Sequence, residues 1–83
     1  MIKVTQLANN QFQISTPKEY IFQSYNSIIA KINRATGKVV LDSYYWDYSV
    51  TTGKYRNEFL REGIADTRAK IASKEYRLRN LNK

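Results

Sequence analysis

The chain has 83 residues, with 14 Lys and Arg against 7 Asp and Glu, no Cys and no His, and a formal net charge of +7. A chain of this length is expected to form one small domain, residues 1–83. Because Cys and His are absent, disulfides, zinc sites and catalysis by a Ser-His or Cys-His pair are excluded. A hydrophobic fraction of 42% and an aromatic fraction of 13% predict a folded core.

The first part of the chain, residues 1–48, alternates apolar and polar residues as β-strands do. Asn9-Asn10 predicts the turn of a first hairpin, and Pro17 is expected to end the second strand. Residues 27–33 fit either a short helical stripe or a strand. The turn signal Thr36-Gly37, which precedes β-branched residues, favours a strand there. We therefore expect an antiparallel meander of four to five strands.

From Thr51 onward the apolar spacing changes to that of a helix. The residues of this helical face are Leu60, Ile64, Thr67, Ile71, Lys74 and Leu78. Ser49, Thr51 and Thr52 can each cap the first turn, and Gly63 leaves open whether one bent helix or two follow. We predict a small α+β domain in which helical residues 51–80, with Tyr55, Phe59 and Leu60 among the contacts, cover the sheet.

Positive charge is concentrated near the C-terminus, where residues 68–83 contain six basic residues and only one acidic residue, Glu75. The candidate binding residues in this segment are Arg68, Lys70, Lys74, Arg77 and Arg79. On a continuous helix they would form a basic ridge and its flanks. Such a ridge either contacts a polyanion, releasing condensed counterions, or is a solvated helix face.

The segment Tyr44-Tyr45-Trp46-Asp47-Tyr48 places four aromatic residues within five positions. If the preceding strand continues through it, these side chains alternate between the two faces of the sheet. Exposed Tyr44 and Trp46 would offer rigid surfaces for stacking on bases or for filling a partner's pocket. Buried rings would instead enlarge a thin core, and the sequence leaves both interpretations open.

The sequence does not predict an enzyme. The acidic residues are too few and too scattered for a metal cluster, and no residue is placed to activate a hydroxyl as a nucleophile. Residues 51–54 superficially resemble a phosphate loop but fit a helix N-cap better. We expect no cofactor, no metal site and no membrane segment, and a cytoplasmic location.

Two segments, FQSYNSIIA at residues 22–30 and WDYSVTTGKYRNEFL at residues 46–60, resemble a group of small bacteriophage and mobile-element proteins. The resemblance extends from about Ile2 to Leu60 and leaves the basic tail outside it. The group has no assigned activity. The resemblance implies a protein that binds a host or viral macromolecule inside the host cell, as many small phage proteins that inhibit host defences do.

Three hypotheses follow for a non-catalytic binding protein. The first is a host-defence inhibitor, similar to an anti-CRISPR protein, that engages a nucleic-acid-handling complex; the basic charge argues against DNA mimicry. The second is an accessory protein that binds nucleic acid directly, with its basic helix on phosphates and Tyr44 or Trp46 on bases. The third is a homodimer formed through the stripe from Leu60 to Leu78.

Overall fold

The computed structural model describes residues 2–82, so Lys83 of the basic segment lies outside the described residues. Residues 2–82 form a six-stranded sheet and two helices. In chain order the elements are β1 (Lys3–Ala8), β2 (Gln11–Ser15), β3 (Glu19–Ser24), β4 (Ser27–Asn33), β5 (Val39–Asp42), α1 (Val50–Leu60), α2 (Ile64–Ala72) and β6 (Arg77–Arg79).

The strands lie in the order β1-β2-β3-β4-β5-β6. The first five form an antiparallel meander, and β6 runs parallel to β5. A parallel pair needs a long crossover connection, which residues 43–76 supply with both helices. The α+β prediction is confirmed, but the sheet has six strands within residues 2–82, whereas we predicted four to five.

The predicted turns of the meander are present. Asn10 adopts a left-handed conformation, with φ of 62°, between β1 and β2. Strand β2 ends before Pro17, as predicted, and residues 27–33 form strand β4 rather than a helix. Gly37, with φ of 75°, lies between β4 and β5 in a backbone conformation that glycine adopts without a steric penalty.

Two helices follow Ser49, which resolves the alternatives left by the sequence. The Ser49 side chain caps α1 by accepting a hydrogen bond from the Thr52 N–H at 3.1 Å. Helix α1 ends at Leu60, followed by the C-cap Arg61 with a left-handed φ of 58°, and α2 begins after Gly63. Residues of both helices, Phe59 of α1 and Ile71 of α2, belong to or pack against the core.

The core lies between the helices and one face of the sheet. Its buried hydrophobic residues are Phe22, Ile29, Ala30, Val39, Leu41, Phe59 and Tyr76. The rings of Phe22 and Phe59 stack with their centroids 5.8 Å apart, which joins the sheet to α1. Tyr55 and Leu60 pack against the same cluster, so the prediction that these α1 residues cover the sheet is confirmed.

The prediction of helix through residues 51–80 is wrong beyond Ala72. Lys74 has a left-handed φ of 67°, which ends the helical path, and Tyr76 is buried in the core. Burying this large aromatic side chain directs the chain toward the sheet, where Arg77–Arg79 pair with β5. Arg77–Arg79 of the basic segment therefore form a strand rather than part of a helix.

The strand that begins at Val39 does not continue into the aromatic segment. It ends at Asp42, whose Oδ2 accepts hydrogen bonds from the backbone N–H groups of Tyr44 at 3.1 Å and Tyr45 at 2.7 Å. These side-chain hydrogen bonds replace the backbone hydrogen bonds between strands, and the chain turns away from the sheet. Residues 43–47 form turns that lead to α1.

The burial pattern predicts how two strand positions respond to truncation. Leu41 is fully buried and Val4 is 59% exposed. We expect Leu41→Ala to lower the free energy of unfolding by about 2–5 kcal/mol, because it removes packed methyl groups and leaves a cavity. The control Val4→Ala should cost less than about 1 kcal/mol. Urea denaturation followed by circular dichroism measures both, and equal losses would contradict the core assignment.

Candidate functional site

The two faces of the sheet differ in what covers them. Residues paired across neighbouring strands share a face. The row beneath the helices is Thr5, Gln13, Phe22, Ala30, Leu41 and Leu78. The row on the other side is Val4, Ile14, Ile21, Lys31, Val40 and Arg77. Because Phe59 of α1 and Ile71 of α2 pack on the core side, this second row belongs to the open face of the sheet.

A groove of about 580 Å³ lies along β4, β5 and β6 at this open face. Four cationic side chains line it, and we call them the groove cations: Lys31, Lys38, Arg77 and Arg79. Glu19 and Glu75 also line the groove. Lys31 lies 3.8 Å from Glu19, whereas the other three groove cations have no acidic partner within 4.0 Å among residues 2–82. The groove is therefore positively charged.

Strand register places the two arginines in the groove. Arg77 pairs with Val40 and Arg79 pairs with Asp42 across the parallel ladder. Successive strand residues point to opposite faces, so both guanidinium groups share the open face while Leu78 points toward the helices. Arg77 and Arg79 are both exposed, as a binding residue must be.

Side-chain hydrogen bonds hold Leu81 and Asn82 on the sheet. Asp42 Oδ1 accepts a hydrogen bond from the Leu81 N–H at 2.8 Å. Asn82 bonds to both backbone groups of Ile28: its Oδ1 accepts from the N–H at 2.6 Å, and its Nδ2 donates to the carbonyl at 2.9 Å. These contacts fix the residues that follow β6, which would be a weak strand alone because it has three residues.

Asp42 thus joins two parts of the chain through three backbone hydrogen bonds. Burial raises the pKa of Asp42, but the backbone N–H groups of Leu81, Tyr45 and Tyr44 lower it by more, so its pKa lies below the ordinary value. The ionised carboxylate is the form that accepts these bonds. It is a structural anion rather than a candidate acid or base.

Lys70 has a structural partner that the sequence did not predict. Its Nζ lies 2.7 Å from Glu62 Oε1, and Glu62 also accepts hydrogen bonds from the hydroxyl groups of Thr67 at 2.7 Å and Tyr76 at 3.0 Å. The hydrogen bond to Glu62 raises the pKa of Lys70 above its ordinary value. This cluster connects the loop after α1 to the residue that precedes β6.

Trp46 and Arg68 lie around a second ion-pair cluster. The buried Arg56 donates to the Trp46 carbonyl at 2.7 Å and to Asp47 Oδ1 at 3.0 Å, with its guanidinium 5.3 Å from the Trp46 ring centroid. Arg68 lies 3.5 Å from Asp47 Oδ2. Tyr44, in contrast, is 76% exposed. The indole therefore packs against Arg56, whereas the Tyr44 ring is accessible.

The predicted basic residues do not form one ridge, because they lie on a helix, a turn and a strand. Arg77 and Arg79 reach the groove, and Lys74 lines an adjacent hollow of about 370 Å³ that they also border. Sequence reasoning missed Lys31 and Lys38. Alternation already placed Lys31 on the polar side of β4, but no local signal places β6 near it.

A family model described as "Family of unknown function (DUF8033)" matches residues 2–77, and the chain belongs to this family. This confirms the expectation of a group without an assigned activity. The match continues past Leu60, where we expected similarity to end, and includes α2. Neither the search of curated proteins nor the search of solved structures found a match.

Two features of the described residues bear on the other expectations. Neither helix within residues 2–82 has the length and apolar character needed to cross a membrane. In the same part of the chain, no group of three or more metal-ligating side chains comes together. Of the predicted binding residues, Arg77 and Arg79 lie in the groove on the open face, and Tyr44 is exposed in the tyrosine-rich turns (residues 43–47), so these are the two candidate surfaces.

The Asp42 contacts predict a pH-dependent stability difference. We expect Asp42→Asn to lower the free energy of unfolding at about pH 7 by about 1–3 kcal/mol, because the amide replaces one of the two accepting oxygens with a donor. The folded-state pKa of Asp42 lies below the unfolded value, about 3.9. Its contribution is therefore present above that value and is lost as the pH falls through the folded-state pKa.

Urea denaturation of both proteins between about pH 7 and pH 2 measures this difference. The difference in free energy of unfolding between the wild type and Asp42→Asn should become smaller in acid, where the wild-type carboxyl is also neutral. Acid loss from Glu62 affects both proteins equally and cancels in the comparison. A gap that stays constant down to about pH 2 would contradict the role assigned to the Asp42 carboxylate.

Proposed function

We propose that this member of the family is a non-catalytic protein that binds single-stranded nucleic acid through the groove on the open face. The observation that carries the proposal is the convergence of Lys38, Arg77 and Arg79, which have no acidic partner among residues 2–82, on one open groove. Each phosphate that such a side chain neutralises releases condensed counterions.

The chemistry of the groove fits phosphate. The guanidinium of an arginine donates two parallel hydrogen bonds to a phosphate group, and Arg77 and Arg79 are two residues apart on the same face of β6. Strand geometry places their Cα atoms about 6–7 Å apart, so both side chains project over the same part of the groove. The net charge of +7 would also attract a polyanion before contact.

The open groove favours a flexible single strand over a rigid duplex. Its floor includes Val40, and its walls come from a turn and from a short terminal strand, without a projecting helix. Insertion into the major groove requires an exposed helix or a ribbon that protrudes. Sheet faces that present cations and accessible side chains are instead suited to extended strands.

The counter-defence hypothesis from the phage resemblance uses the same cations. A host-defence inhibitor would contact a guide RNA, a substrate strand or an acidic protein surface within a nucleoprotein complex. If the protein binds free oligonucleotides, direct nucleic-acid binding is favoured over inhibition of a host complex. Failure to bind them, together with capture of a defined nuclease complex, favours the inhibitor.

The dimer hypothesis requires a continuous helical stripe from Leu60 to Leu78, and these residues do not form one. The residues of the stripe lie on α1, α2, a turn and β6, so no single helix carries all of them. Leu60 and Ile71 pack against the core of the same chain. A coiled-coil seam needs its apolar residues on one uninterrupted helix face.

The groove assignment predicts a loss of affinity and of salt dependence in a charge variant. We expect Arg77→Gln combined with Arg79→Gln to weaken binding of a fluorescein-labelled oligothymidylate of about 12 nucleotides, measured by fluorescence anisotropy. Removing two phosphate contacts should reduce the steepness of log K against log salt by about 1.4, at about 0.7 per contact.

A matched control variant lowers the net charge by the same amount at two positions outside the groove. Lys3 and Lys18 are exposed, lie outside the groove and have no ion-pair partner among residues 2–82. Lys3→Gln with Lys18→Gln should leave the salt slope within experimental error of the wild type. Equal losses from the two double variants would show that total charge, not the groove, drives binding, and no binding by the wild type would reject the proposal.

A further inference from the structure

The outer edge of β6 is open. β6 is the last strand in the sheet order, so within residues 2–82 no strand pairs with this edge. The Arg79 carbonyl accepts a hydrogen bond from the Ser43 N–H at 2.8 Å, which shows that the backbone of Arg79 faces β5. The Leu81 N–H likewise bonds to Asp42 at the end of β5. Because backbone groups alternate in direction along a strand, the N–H and C=O of Leu78 point to the open edge.

A hollow of about 370 Å³ lies beside this edge. Its apolar lining comes from Ile71 of α2, from Tyr76 and from Leu78, whose side chain lies on the helix side of the sheet. Leu78 is nevertheless 42% exposed, because no strand lies beyond β6 within residues 2–82 to cover it. The hollow therefore offers an apolar recess to a side chain from an added strand.

The same edge carries positive charge. Lys74, Arg77 and Arg79 line the hollow, and no acidic side chain of residues 2–82 does. All three cations are exposed, and none has an acidic partner within 4.0 Å in this part of the chain. Uncompensated charge of one sign favours a partner of the opposite sign. The edge thus combines free backbone groups, an apolar recess and a demand for negative charge.

These three features together favour a peptide over other partners. Antiparallel pairing of two β6 strands about Leu78 would place Arg77 of one copy opposite Arg79 of the other. Like charges directly opposite each other destabilise a strand pair, so a second copy is disfavoured here. A nucleic-acid strand has no backbone amide that could pair with the Leu78 groups. An acidic peptide supplies both the amides and the negative charge.

We infer that the open edge of β6 binds an extended acidic peptide of another protein, which adds a seventh strand to the sheet. This inference goes beyond the proposed function and does not require it. A peptide residue opposite Leu78 exchanges two backbone hydrogen bonds with it, and its side chain lies in the hollow. The residues on either side of it lie opposite Arg77 and Arg79 on the open face. The recognised sequence is therefore an apolar residue between two acidic ones.

The peptide and a nucleic-acid strand would use the same two arginines. A guanidinium group donates paired hydrogen bonds to a carboxylate as it does to a phosphate. An acidic peptide at this edge therefore competes with nucleic acid for Arg77 and Arg79. The backbone hydrogen bonds to Leu78 belong to the peptide alone, so they provide the feature that distinguishes the two ligands.

The decisive comparison uses two peptides that differ in one backbone group. Each has about nine residues, within the usual length of a strand, with a central Glu-Val-Glu sequence and a fluorescein label. In the second peptide the backbone nitrogen of the central valine is methylated, which keeps every side chain and charge. We expect anisotropy titrations to show at least about 10-fold tighter binding of the unmodified peptide, because methylation removes a hydrogen bond to β6.

Two measurements on the protein side locate the peptide. Arg77→Gln combined with Arg79→Gln should weaken binding of the unmodified peptide by about 5- to 10-fold. The control Lys3→Gln with Lys18→Gln, which lowers the net charge equally, should keep the wild-type affinity. Amide hydrogen exchange of the wild type, followed by NMR, should show that saturating peptide slows exchange of the Leu78 N–H. Circular dichroism of both double variants confirms folding.

Several results would overturn strand addition. They are no binding of the unmodified peptide, equal affinities for the two peptides, equal losses in the two double variants, or an unchanged exchange rate of the Leu78 N–H. If the peptide fails to bind while oligothymidylate binds, this inference alone is rejected. If oligothymidylate fails to bind while the peptide binds as expected, the proposed function is rejected and the peptide site stands.

Discussion

The Asp42 carboxylate is the constraint on which both candidate surfaces depend. One buried side chain accepts backbone hydrogen bonds from Tyr44 and Tyr45 on one side and from Leu81 on the other. The first pair ends β5 and starts the tyrosine-rich turns. The third bond holds the residues after β6 against the sheet. Because a buried carboxylate without donors would be strongly destabilising, the two segments stabilise the charge and the charge positions them.

The parallel strand β6 explains where the positive charge is displayed. A short terminal strand has little intrinsic stability, yet here the buried Tyr76 precedes it and Asp42 with Asn82 holds the residues that follow. It also covers the edge of β5, which would otherwise present unpaired backbone groups. Alternation along β6 then separates its side chains, with Leu78 on the helix side and both arginines on the open face.

Local signals were sufficient for most of the fold. The turn at Asn9-Asn10, the strand end before Pro17 and a helix start near Ser49 each follow from the chemistry of a few neighbouring residues, although the sequence left Ser49, Thr51 and Thr52 as alternative caps. Strand β6 could not be predicted in this way, because Arg77–Arg79 carries the composition of a helix surface. Its strand conformation depends on burial of Tyr76 and on pairing with β5, which are contacts distant in sequence.

The site could be predicted only in part for the same reason. Net charge correctly indicated an excess of cations, but Arg56, Arg68 and Lys70 are paired with acids, and this pairing is visible only in three dimensions. Each such pair removes a cation from the set available to a ligand. The cations that remain available for binding are those that have no acidic partner and lie on an accessible face of the fold. A charge count thus predicts attraction to a polyanion, whereas the β5–β6 register determines which face of the sheet displays Arg77 and Arg79.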